Sequence, residues 1–150
     1  MTRSVPEKIG VKENMRAIFI NAPDDTIQTI QSQALDLKKR LTGKFDYIHL
    51  FVNSQAAFHQ QFPMLMKYLQ PPGMLWVSWP KSGLKETDLN IKTVIKLGYD
   101  YGLVESKAIS INATWSALKF TWPKEKVVYN NSYGQLKKHP KLENYYYRCR

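Results

Sequence analysis

Cysteine is almost missing from this chain. The single one, Cys149, allows no intramolecular disulfide and no cysteine-based metal centre. Histidine is scarce as well. His49, His59 and His139 are too widely spaced to read as a zinc set, so no metal site is expected. Carboxylates are few, 12 against 22 lysines and arginines, which leaves a formal net charge of +10. No apolar run reaches the roughly 18 residues of a membrane-spanning helix. The opening Met-Thr-Arg-Ser-Val-Pro-Glu-Lys lacks the apolar stretch of a secretory signal. These absences lead to the expectation of a soluble, cytoplasmic protein with no membrane partner. What is present is 43% hydrophobic residues over 150 positions, enough to fill one core.

The apolar segments alternate between strand and helix character, which predicts an α/β domain with a mainly parallel sheet. Arg16–Asn21 and Phe45–Asn53 are continuous apolar runs, as buried strands require. Between them Ile27, Ile30, Ala34, Leu37 and Leu41 recur at helical spacing. That pattern predicts one helix, capped by Asp24 or Asp25, with Lys38, Lys39 and Arg40 in its last turn and Gly43 as its C-cap. Ser54 is the expected cap of a second helix carrying Phe58, Phe62, Leu65 and Leu69, which Pro63 should break or restart. Pro71-Pro72-Gly73 reads as a turn before a strand at Met74–Trp79, stopped by Pro80. Thr87 or Asp88 is expected to cap a helix bearing Ile91, Val94 and Ile95, and Gly98 and Gly102 mark its end. A strand at Val104–Asn112 and an antiparallel return at Leu118–Trp122 close the domain with a hairpin.

Residues 1–123 thus form the expected domain, and 124–150 an extension of different character. The extension holds Lys124, Lys126, Lys137, Lys138, Lys141, Arg148 and Arg150 against Glu125 and Glu143, half of the net charge. Tyr129, Tyr133, Tyr145, Tyr146 and Tyr147 are interspersed with those cations. Lysines neutralise phosphates and tyrosines stack on bases, so a nucleic-acid interface is one reading of this extension. Packing of the tyrosines on the domain, or across a homo-oligomer, is the other.

Two resemblances follow from quoted stretches. Tyr68-Leu69-Gln70-Pro71-Pro72-Gly73-Met74-Leu75 resembles the Leu-x-Pro-Gly-Gly-x-Leu turn before a central strand of the class I methyltransferases. Phe45-Asp46-Tyr47-Ile48 resembles a strand opening of the same proteins, and the closing hairpin fits their sheet. The closer resemblance is to a bacterial family of small proteins, domain-of-unknown-function family 3052. It covers roughly Lys8 to Trp122 and rests on Ile9-Gly10-Val11-Lys12, Asn21-Ala22-Pro23, the Pro71-Pro72-Gly73 turn, Trp76 to Lys81, Thr87-Asp88-Leu89, Gly102 to Lys107 and Thr114 to Phe120. Both imply a Rossmann-like three-layer sandwich, mostly parallel and closed by a C-terminal antiparallel hairpin. The methyltransferase resemblance also implies S-adenosylmethionine. Family 3052 brings no assigned activity.

The chemistry-bearing positions argue against that cofactor. Dinucleotide and S-adenosylmethionine sites use glycines after the first strand, where the backbone must approach the ligand closely. Here the turn is Asn21-Ala22-Pro23-Asp24-Asp25, without glycine, and no Gly-Lys-Ser/Thr phosphate loop exists. Asn53-Ser54 follows the Phe45–Asn53 strand with no carboxylate to hold a ribose. No cofactor is expected. Ligands of open α/β sheets sit beyond the carboxyl ends of the strands. Asn21, Asn53, Ser54, Trp79, Lys81, Thr114, Trp115 and Ser116 fall there, offering one cation, several hydrogen-bonding groups and flat aromatic surface for a small anion. Capping and loop packing are the alternative roles for the same residues. Lys107 is expected to pair with Glu105 or a helix end, and Asp88 to cap a helix. No catalytic set is apparent. Ser54 and Ser116 have no nucleophile elbow, His49 lies inside a strand, His59 lies on a polar helix face, and Cys149 is in the extension. The expectation is a non-catalytic binding or regulatory module. The alternatives are a degenerate S-adenosylmethionine-dependent methyltransferase relative and a polyanion binder acting through the extension.

Overall fold

The computed structural model describes residues 3–30, 35–81, 86–124, 129, 133 and 136. Six strands form one sheet: β1 (Arg16–Ile20), β2 (Asp36–Leu37), β3 (Phe45–Phe51), β4 (Leu69–Pro80), β5 (Val104–Ser110) and β6 (Trp115–Thr121). Their order is β2-β1-β3-β4-β6-β5. The first four run parallel, and β6 lies antiparallel between β4 and β5. The expected hairpin is therefore present, and its second strand sits inside the sheet rather than at its edge.

Alternation along the strands feeds two cores. Ile48, Leu50, Leu75, Val77 and Trp79 meet α3 (Gln55–Met66) and α4 (Ile91–Tyr101) on one face. Tyr47, Phe51, Met74 and Trp76 meet Ile9 of α1 (Val5–Ile9) and Ile30 of α2 (Asp24–Ile30) on the other. This is the three-layer sandwich that a buried, mostly parallel sheet needs. Close approach of α4 to the sheet is set by Gly98, where an added Cβ would stand 2.0 Å from the ring of the fully buried Phe120.

Several expectations change. The single helix expected through Leu41 is α2, which ends at Ile30, followed after residues 31–34 by β2. Pairing decides this. Asp36 N donates to Met15 O and Lys38 N to Ala17 O, non-local bonds that outweigh a helical spacing of apolar residues. Lys38–Arg40 therefore sit beyond β2, and Gly43, with φ +68°, lies in a loop and not at a helix end.

Pro63 does not break α3, which runs continuously to Met66. Burial of Phe58, Phe62, Leu65 and Met66, each worth roughly 1.5–3 kcal/mol, outweighs a proline penalty of about 3 kcal/mol. The carbonyl deprived of its partner belongs to the exposed His59.

Pro71-Pro72-Gly73 lies within β4 as a bulge. Phe45 pairs with Leu69, but Tyr47 pairs with Met74. Only glycine fits at position 73, since a Cβ would approach Asp46 O to 2.9 Å and Phe45 O to 3.0 Å. The cap of α4 is Asn90, whose side chain accepts from Thr93 N, rather than Thr87 or Asp88. Helix α1 was not among the expected elements. Ser4 and Glu7 form a capping box at its start, and Gly10 closes it in the left-handed conformation.

Candidate functional site

The carboxyl ends of β1, β3, β4 and β5 lie along one edge of the sheet, and the start of β6 joins them there. The eight candidate residues do reach this edge, but three separate hollows divide seven of them. Asn21, Asn53 and Trp115 line a hollow of about 270 Å³ with Phe51, Val52 and Ala57. It lies between the ends of β1 and β3, where the chain order reverses from β2-β1 to β1-β3, the position at which open α/β sheets bind ligands. Asn53 and Ser54 line a second hollow, with Glu86, Thr87 and Asp88. Trp79, Lys81 and Ser116 line a third, of about 430 Å³, with Ser110 and the start of α4. Thr114 lines none of these three hollows.

Several of these side chains have structural duties. Ser54 is the N-cap of α3, its hydroxyl accepting from Ala57 N at 3.1 Å. Asp88 adds a second acceptor to that helix start, taking a 2.8 Å bond from Gln55 N, while Thr87 Oγ1 donates to Asn53 O. Asp88 thus does assist a helix start, but that of α3 and not of the helix following it. Thr114 and Trp115 donate their backbone N–H groups to Asn112 Oδ1, which shapes the turn between β5 and β6. Thr114 O accepts from Lys81 N. The Trp115 ring meets Phe51 edge to face at 5.1 Å.

Lys81 Nζ donates to Ser110 Oγ at 2.6 Å, and Ser110 passes its own proton toward Asn112 O. Lys107 Nζ donates to Lys8 O at 2.6 Å, in the last turn of α1, which is the helix-end role expected of it. Desolvation lowers its pKa, aided by the nearby charges of Arg3, Lys119 and Lys8.

The turn after β1 combines two features. Asn21 adopts φ +59°, the left-handed conformation that glycine usually supplies. After it, Pro23 offers no N–H, and its carbonyl is taken by Thr26 N, Thr26 Oγ1 and Ile27 N. Helix α2 opens with Asp24 and Asp25. Past β2, where a ribose-binding carboxylate would be sought, the chain carries Lys38, Lys39 and Arg40.

One polar cluster was not foreseen. Tyr47 OH lies 2.6 Å from His49 Nδ1, and His49 Nε2 lies 2.6 Å from Ser78 Oγ, with all three residues fully buried. Phe51 stacks on the imidazole at 4.5 Å and separates it from the hollow between β1 and β3. Burial drives the His49 pKa down from 6.5 to about 3 and raises that of Tyr47. The Tyr-x-His spacing puts both on one strand face, but only the β3–β4 register brings Ser78 to them.

Among the described residues, no group of three or more His, Cys, Asp or Glu side chains is arranged to hold a metal. No helix of these residues is long and apolar enough to cross a membrane. Lys124 is described, its N donating to Tyr129 OH. Lys126, Lys137, Lys138, Lys141, Arg148, Arg150 and Cys149 lie outside the described residues.

No family model matches the chain, and no curated protein matches it in sequence. Solved structures match it in fold. Precorrin-6y C5,15-methyltransferase from Geobacter metallireducens GS-15 superposes with a TM-score of 0.51 over 79% of this chain and 86% of its own, at 6% identity. A ribosomal protein L11 methylase from Lactobacillus delbrueckii subsp. bulgaricus gives 0.49 over 78% and 74%, at 12% identity. A SAM-dependent methyltransferase from Aquifex aeolicus gives 0.46 over 77% and 88%, at 14% identity. At 6% identity the likeness to the Geobacter structure is one of fold alone: a Rossmann-like sheet of the methyltransferase type.

Proposed function

We propose that this chain is a degenerate relative of the S-adenosylmethionine-dependent methyltransferases, keeping their sheet and using its carboxyl edge to hold a small anion. The observation that carries this reading is the turn after β1 in a sheet of the methyltransferase type. Where a cofactor turn presents bare backbone, this one presents Asn21, Ala22 and Pro23. The donor set does not fit S-adenosylmethionine. The carbonyl of Pro23 is occupied, and the chain past β2 is cationic where ribose hydroxyls need an acceptor. Lys81 and Ser116 supply donors to an anion instead. No methyl-transfer step is therefore derived.

A second reading keeps the cofactor. It is favoured by Asn21, which reproduces a glycine-like backbone beside a hollow at the β1–β3 switch point. One thermal-denaturation series separates the two, because any ligand that binds only the folded state raises the melting temperature. Small carboxylates and phosphates are expected to raise it, and S-adenosylmethionine and S-adenosylhomocysteine to leave it unchanged. Stabilisation by S-adenosylmethionine that disappears in Asn21→Val would replace the first reading with the second.

A further inference from the structure

We propose that the hollow between the β4–β6–β5 strands and the start of α4 binds a monocarboxylate with an apolar body. This rests on the anion-binding reading above and specifies its ligand. The hollow, of about 430 Å³, is within the range of small-ligand sites.

Two of its polar side chains, Lys81 and Ser116, have donors to offer an anion. Lys81 Nζ spends one N–H on Ser110, and an ammonium has three. Ser116 stands directly across the β5–β6 pair from Ser110, so the two serines and the lysine converge on one end of the hollow. Asn90 and Ile91 place the first turn of α4 beside them, and that turn contains no acidic residue. The positive end of the helix dipole therefore reinforces the lysine. Among the described residues, no carboxylate lines the hollow.

Three side chains give the hollow an apolar side. Trp79 is buried below, Ala108 comes from the edge strand, and Ile91, 41% exposed, stands at the rim, while Ile109 and Ala117 pack their side chains into the core of the opposite face. One ammonium balances one negative charge. A doubly charged phosphate would bring a second charge onto apolar walls that offer it no partner, which costs free energy. A carboxylate on an aromatic or aliphatic body matches both the single cation and the carbon lining.

The test is calorimetric titration of the full chain with 3-phenylpropionate, 3-phenylpropanol, acetate and inorganic phosphate. 3-Phenylpropionate is expected to bind at least tenfold more tightly than the other three. Lys81→Met should remove most of that advantage over the alcohol. Ala108→Phe, a change at an exposed strand position, should fill the hollow and abolish binding without lowering the melting temperature. Equal binding of acid and alcohol would overturn carboxylate recognition. Phosphate binding as tightly as 3-phenylpropionate would overturn the apolar part and leave the anion reading standing. Tight binding unaffected by Ala108→Phe would place the ligand elsewhere and overturn this site. Absence of binding by every anion would overturn this proposal together with the reading it rests on.

Discussion

At the scale of single residues, His49 has the clearest measurable consequence. Its imidazole is sealed between Tyr47, Ser78 and Phe51, and burial holds its folded-state pKa near 3, against 6.5 for the free group. Between those values the unfolded chain takes up a proton that the folded chain refuses. The stability this group contributes is therefore whole above about pH 6.5 and drains away as the pH falls toward 3. One such proton steepens the dependence by at most about 1.4 kcal/mol per pH unit. Urea midpoints measured from pH 4 to pH 7 should fall more steeply for the native chain than for His49→Gln, in which nothing at this position titrates. Coincident slopes would remove histidine as the source. The neutral ring matters for function too, because a base with so low a pKa is not poised to activate Ser78 near neutral pH. The serine-histidine pair is a satisfied core network, and all buried side-chain polar atoms of the described residues have partners.

At the scale of elements, α3 shows how caps organise the candidate edge. Its start is held twice, by Ser54 from within and by Asp88 from the loop before α4. Ser54→Ala is expected to cost about 1 kcal/mol of unfolding free energy, read from urea denaturation. No loss at all would mean that Asp88 alone satisfies the helix start. The same elements show what local sequence reveals. Strands β1, β3 and β4 are legible because apolar runs end abruptly at Asn21, Asn53 and Pro80. The Ser4-x-x-Glu7 box of α1 is equally local and was open to the same reading. Strand β2 is different. Leu37 and Leu41 continue a helical spacing from Ile27 and Ile30, and only the distant partner β1 turns Asp36–Leu37 into a strand. The edge positions of the candidate residues follow from parallel topology, so they too were legible. Their division among three hollows was not, because it depends on β6 entering between β4 and β5.

At the scale of the whole molecule, charge is the dominant trait, and half of the +10 belongs to 124–150. Tyr129 and Leu136 pack against the core on the α3–α4 side, so removing the extension would disturb folding as well as charge. Replacing Lys137, Lys138 and Lys141 together by glutamine removes three of the seven cations of 124–150 and keeps the chain length. If the extension serves a polyanion, single-stranded RNA should bind the native chain with an affinity that falls steeply with salt. The triple variant should then bind more weakly with a shallower salt slope. Identical salt curves would dissociate the extension from nucleic acid. The strand order also governs assembly. Strand β5 pairs in the sheet through β6, and β6 through β4, so the flank of β4 is closed only when β6 is in place. Until residues 115–121 arrive, Leu75-Trp76-Val77-Ser78-Trp79 is an open, apolar, uncharged edge. That is the kind of segment that pairs with copies of itself. The interior place of the last strand therefore leaves newly made or partly unfolded chains open to self-association through β4, a hazard that ends when β6 is in place.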